Sequence, residues 1–89
     1  MRFRSFDSLK LFCIVAEKMS FTAAGDKLHM SKGAVSYQIA KLEGELGFPL
    51  FERRHTHIRL TPQGEILWGA AKRRFGQLET VISDLRDGP

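Results

Sequence analysis

The chain has 89 residues, with 14 Lys and Arg against 10 Asp and Glu, a formal net charge of +4. A single small domain of this length buries only roughly 60–65% of its unfolded surface, enough for a modest core but not for a deep catalytic pocket as well. The basic balance favours an anionic partner, nucleic acid or an acidic membrane face; no apolar run reaches the ~20 residues of a membrane span, no secretion signal follows Met1-Arg2-Phe3-Arg4, and the lone Cys13 excludes an internal disulfide and fits a reducing, cytoplasmic setting.

Ser5-Phe6-Asp7-Ser8 offers capping residues, and Phe6, Leu9, Phe12, Cys13 and Ala16 then recur at helical spacing, which predicts a first helix over 6–18. Cys13 lies one turn from Leu9 and reads as a core thiol. Ser20 is an N-cap for a second helix over 21–28 whose inner face is Phe21, Ala24, Gly25 and Leu28. The short Ala24 and Gly25 let a neighbouring helix come close. The turn His29-Met30-Ser31 has no glycine; His is among the residues enriched at positive φ, so His29 makes the bend and Met30 fills the corner. Ser31 caps a third helix over 31–46, on which Val35, Ile39, Leu42 and Leu46 form one buried stripe. Gly47 stops it from the C′ position, with Pro49 just beyond.

The segment 50–60 reads as a small β-hairpin: Leu50-Phe51-Glu52-Arg53 and Ile58-Arg59-Leu60 flank the polar turn Arg54-His55-Thr56-His57. A hairpin alone is barely stable, so it must lean on the helices. Two helices in a tight turn over 21–40 followed by a hairpin make a winged helix-turn-helix over 1–61. Thr61-Pro62 opens a last helix over 62–87, with Thr as N-cap and Pro in the first helical position. Trp68, Ala71, Phe75, Leu78, Ile82 and Leu85 recur along it at alternating spacings of three and four, a heptad seam. Its far end has nothing left in the chain to cover it, so a second copy is the expected partner. The fold class is therefore mainly α, a winged helix-turn-helix followed by a long dimerising linker helix.

The third helix exposes Ser31, Lys32, Gly33, Ser36, Tyr37 and Lys41. A recognition helix enters the major groove with its N-terminal part towards the base edges. Lys32 can reach guanine O6 or N7, Ser36 a base edge or a phosphate, and Gln38 an adenine, although Gln38 equally fits a solvated flank. Arg53 and Arg54, with His55, His57 and Arg59, suit flanking phosphates or a minor groove. Thr22 can bond a phosphate at the N-terminus of the second helix or act as a second capping hydroxyl. Lys72-Arg73-Arg74 reads as the wet face of an amphipathic helix. No spacing among His29, His55 and His57 forms a metal site, no cofactor motif occurs, and no paired carboxylates or nucleophile-base arrangement points to an enzyme.

Leu9 with Phe12 and Ala16, then SFTAAGDKLHMSKGAVSYQIAKLEGELGFPLFERR, then IRLTPQGE, closely resemble the N-terminal DNA-binding domain of LysR-type transcriptional regulators. The match covers nearly the whole chain. The resemblance implies a cytoplasmic bacterial regulator that binds an inverted repeat in double-stranded DNA as a homodimer through the linker helix. It also implies a separate small-molecule-sensing domain, absent from these 89 residues, which builds tetramers in full-length proteins. The family often has Gln at the place of Lys32, Ser or Pro at Gly33, Arg at Tyr37 and basic residues near Thr56. Its contacts carry over most directly to Thr22, Ser31, Ser36, Gln38 and Arg53. The competing readings are a winged helix that docks on protein or only dimerises, and another bacterial winged-helix regulator such as the molybdate-responsive type.

Overall fold

Three hydroxyl caps set where the helices begin. Ser20 Oγ accepts from the Ala23 N–H at 3.1 Å, Ser31 Oγ from Ala34 at 3.1 Å, and Thr61 Oγ1 from Gly64 at 2.9 Å. Each cap residue keeps extended backbone, so its side chain can satisfy an N–H that has no partner within the helix. In the computed structural model, which describes residues 6–88 and Phe6 as backbone only, these caps open α2 (Phe21–Leu28), α3 (Lys32–Leu46) and α4 (Pro62–Asp87). Helix α1 (Phe6–Lys18) precedes them, and β1 (Phe51–Arg53) and β2 (Ile58–Leu60) lie between α3 and α4. The expectations placed on Met1–Arg4, the Ser5 cap and the Phe6 side chain, along with Pro89, fall outside the described residues.

The stops follow the same local logic. His29 adopts φ 57° and Gly47 φ 87°, the left-handed conformations expected of them. The end of α1 carries no such signal in the sequence: Met19 takes φ 52° and donates its N–H to Val15 O at 2.6 Å. The hairpin is antiparallel in the register Phe51↔Leu60, Glu52↔Arg59, Arg53↔Ile58.

The core gathers Phe12, Val15, Val35, Ile39, Leu42 and Leu50, all essentially inaccessible, with Phe21, Ala24 and Phe51 around them. The expected α1 face omits Leu11 and Val15, both of which are buried, while Leu9 is only partly so. Helix α1 packs against α2, α3 and α4, so it needs a wider apolar arc than a helix covered on one side. Burial pushes the Cys13 thiol up to about 11, against a smaller opposing pull from Lys10. It therefore stays protonated at neutral pH and packs as a small apolar group.

Two polar ties hold the wing to the helices. Glu43 on α3 accepts the Leu50 N–H at 2.6 Å and the Phe51 N–H at 3.3 Å. Thr61 donates its hydroxyl to Pro49 O at 2.8 Å and its N–H to Leu50 O at 3.0 Å, which joins the start of α4 to the segment before β1.

Helix α4 divides the expected seam in two. Ala71 is buried in the domain's own core, and Trp68 and Phe75 pack partly against it. Beyond them Leu78, Ile82 and Leu85 are 57%, 53% and 79% exposed, as is Val81 at 53%, a residue outside the expected seam. The inner half of the seam thus serves the fold and its outer half is uncovered, while Ile66, off the seam, is 75% exposed. No helix among the described residues is long and apolar enough to cross a membrane.

Candidate nucleic-acid interface

The exposed side of α3 and the wing form one continuous surface because a side chain ties them together. Strand alternation puts Arg53 on the same side of β1 as the buried Phe51, facing the helices. There its guanidinium lies 4.7 Å from the centroid of the Phe21 ring and donates from Nη2 to Ser36 Oγ at 2.7 Å. The Phe21 and Phe51 rings meet edge-on at 5.9 Å, and Phe51 also touches Phe12 at 5.6 Å. The wing arginine therefore rests on an aromatic cluster rooted in the core. Each cation–ring contact of this kind contributes roughly 0.5–1 kcal/mol when exposed.

The outer side of the wing has a different arrangement. Glu52 sits opposite Arg59 in the register and meets its Nε at 3.3 Å; the same carboxylate oxygen lies 3.6 Å from Arg54 Nη2. All three side chains are about half exposed, so these pairs are screened and easily exchanged. Between the wing, the α2 N-terminus and the start of α3 runs an open groove of about 420 Å³, lined by Thr22, Lys32, Arg53, Arg54, His55 and His57 among others. Four cationic or hydroxyl-bearing residues from the expected set thus converge from three elements.

On α3, Ser31 is exposed but its hydroxyl oxygen is committed to the cap. Lys32 is the first helical residue and is exposed. A Cβ on Gly33 would meet nothing within 4 Å, so backbone is open to a ligand at that point. Tyr37 is 67% exposed and Lys41, one turn on, is exposed as well. Gln38 is not gathered with these residues. It faces α1, in a shallow cleft with Asp7, Lys10 and Met30, because a helix turns about 200° over the two residues from Ser36.

Sequence reasoning misses the roles of Glu52, Phe21 and Glu43, and does not foresee that Arg59 pairs with Glu52. Phe21 and Arg53 are far apart in the chain, and no local pattern pairs them. The strand alternation that buries Phe51 is the available signal for the direction of Arg53. Among the described residues no group of three His, Cys, Asp or Glu stands where it could hold a metal ion.

Residues 6–65 match the family model described as bacterial regulatory helix-turn-helix protein, lysR family. The chain is 42% identical over 83 residues to the HTH-type transcriptional regulator PtxR of Pseudomonas aeruginosa, covering 93% of the chain and 27% of that protein. It is 38% identical over 85 residues to the glycine cleavage system transcriptional activator of Escherichia coli K12, covering 96% of the chain and 28% of the activator. The chain thus spans about a quarter of the length of these curated relatives. Among solved structures, the BenM DBD in complex with benA site 1 DNA superimposes with a TM-score of 0.81 at 33% identity, covering 91% of each chain. The CbnR DBD–DNA complex gives a TM-score of 0.78 at 33% identity, covering 94% of this chain and 97% of that one. With the family model matching well over half of its length, the chain belongs to the lysR family of bacterial regulatory helix-turn-helix proteins.

Proposed function

We propose that this chain is the DNA-reading part of a bacterial transcriptional regulator, binding a specific double-stranded sequence with α3 in the major groove and the wing on flanking phosphates or the minor groove. The observation that carries the reading is the continuous basic surface made when Arg53 ties the wing to Ser36. That surface offers Lys32, Gly33, Ser36, Tyr37 and Lys41 to base edges. Thr22 and Arg54 lie beside it for the sugar–phosphate backbone. Structural neighbours of this fold bound to DNA support the assignment. Gln38 stands apart from this set and belongs to the flank towards α1. Two copies joined along α4 read an inverted repeat in the cytoplasm. In a full-length protein, a separate small-molecule-sensing domain would regulate binding and assemble tetramers.

Selection of bound sequences from a random duplex pool tests the reading directly. A consensus built of two inverted half-sites is the expected outcome. Affinity for it should fall steeply with salt, because each neutralised phosphate releases counterions. A chain that docks on protein instead would enrich no sequence and show no such slope.

Two substitutions separate phosphate grip from base reading. Among the described residues the Arg54 side chain has only an exposed carboxylate to leave, so Arg54→Ala should weaken binding to all duplexes alike and reduce the log–log salt slope by about one. An unchanged slope removes Arg54 from the contact surface. Lys32→Ala should lose about 1–3 kcal/mol of discrimination at one base pair per half-site, as expected for a lysine on guanine. A uniform loss across operator variants makes Lys32 a phosphate contact.

A further inference from the structure

We infer that Arg53 fixes Ser36 as a hydrogen-bond donor to a single acceptor on a base edge, so that the two residues act as one specificity determinant rather than as separate contacts. The inference rests on the DNA-binding reading above. A guanidinium has donors only; at 2.7 Å from Nη2, the Ser36 oxygen must therefore be the acceptor. An oxygen already bonded to a cation is a poor second acceptor, and its own proton becomes a better donor.

That proton is uncommitted. A serine or threonine inside a helix commonly returns its proton to the carbonyl four residues back. Thr80 does so, donating to Gly76 O at 3.0 Å. The Ser36 hydroxyl makes no second hydrogen bond among the described residues. The arginine is also restrained, because its guanidinium lies over the Phe21 ring. The hydroxyl thus has a fixed polarity on the second turn of α3, between the exposed Lys32 and Tyr37. In the major groove a donor at this place pairs with guanine O6 or N7, adenine N7 or thymine O4, and is refused by the amino groups of cytosine and adenine.

The probe is the duplex that the unmutated chain selects from a random pool, together with every single base-pair change across one half-site. One base pair should show a preference of about fivefold, the size set by one net hydrogen bond. Ser36→Ala should abolish that preference and Ser36→Thr should keep it. Arg53→Ala should lower overall affinity and, in addition, cut the preference at the same base pair to about twofold. The double variant should show no further loss at that pair than Ser36→Ala alone, the non-additivity expected of coupled residues. If Arg53→Ala melts early, Arg53→Met keeps a long unbranched side chain without the guanidinium donors and carries the same expectation. A preference that survives intact in the arginine variants overturns the inference, as does a Ser36→Ala loss spread evenly over all duplexes. Either result leaves the DNA-binding reading standing, whereas a chain that selects no duplex removes both.

Discussion

Gly25→Ala should lower the melting temperature by roughly 8–16 °C, the equivalent of about 2 kcal/mol in a domain of this size. Gly25 sits in α2 where the chain doubles back into the turn. A Cβ built there runs into the carbonyl oxygen of Met30, a backbone atom, with Val35 Cγ2 at 3.5 Å beyond it. The carbonyl has little room to retreat, because the Met30 N–H is bonded to Gly25 O at 2.8 Å and Ser31 is fixed as the α3 cap. Relief therefore requires α3 to shift relative to α2, which displaces the residues proposed to face DNA. The helix-propensity gain of alanine over glycine, about 0.8–1 kcal/mol, offsets only part of this cost. Gly44→Ala is the matched control. Nothing lies within 4 Å of its Cβ position, so the same chemical change in α3 should stabilise by about 0.5–1 kcal/mol. Thermal melts of the two variants decide the matter: equal shifts would mean that the close approach of the turn costs nothing.

The features legible in the sequence are those that local chemistry determines. Ser20, Ser31 and Thr61 cap through side chains three residues from their donors. The left-handed bends of His29 and Gly47 depend on the residues themselves. For such features the sequence neighbourhood is the physical neighbourhood, and the helix bounds follow from it. The exposed part of the α3 face is legible for the same reason, because helical period alone separates Lys32, Tyr37 and Lys41 from Val35, Ile39 and Leu42.

What escapes the sequence depends on which element lies against which. Leu11 and Val15 are buried because α1 is covered on several sides, a fact of packing that a one-face periodicity does not contain. By its place in the chain Arg53 is a phosphate ligand beside a solvated turn, but its strand leans on α2 and α3, which brings Phe21 and Ser36 under its guanidinium. Gln38 falls on the α1 side because the orientation of α3 is set by the core. The seam on α4 looks uniform in sequence; its division at Phe75 comes from how far the domain's core reaches along the helix.

Leu78→Glu should turn a dimer into a helical monomer and reduce affinity for a full inverted-repeat operator by a factor of about 10²–10⁴, the gain that joining two sites provides. Leu78, Val81, Ile82 and Leu85 lie at i, i+3, i+4 and i+7 and are all more than half exposed, a stripe along the outer half of a 26-residue helix. At about 1.5 Å per residue the helix is roughly 39 Å long, and it gives the molecule its 50 Å longest extent. The inner half is held by the core through Ala71. Four adjacent large apolar side chains left in water favour association, at about 25 cal/mol for each Å² of apolar surface covered. A second α4 running antiparallel would cover the stripe with the same residues and would relate the two winged domains by a two-fold axis, the symmetry that calls for an inverted repeat with half-sites one helical turn or a multiple of it apart. Glutamate at 78 would bring a charge from each copy into that apolar seam. The substitution removes no contact within the domain's core, so helix content and binding to an isolated half-site should stay near those of the unmutated chain. Sedimentation and titration against full and half operators test these consequences together. If the unmutated chain sediments as a monomer at high micromolar concentration, or if Leu78→Glu binds the full operator as tightly as before, the stripe is not the joint between two copies.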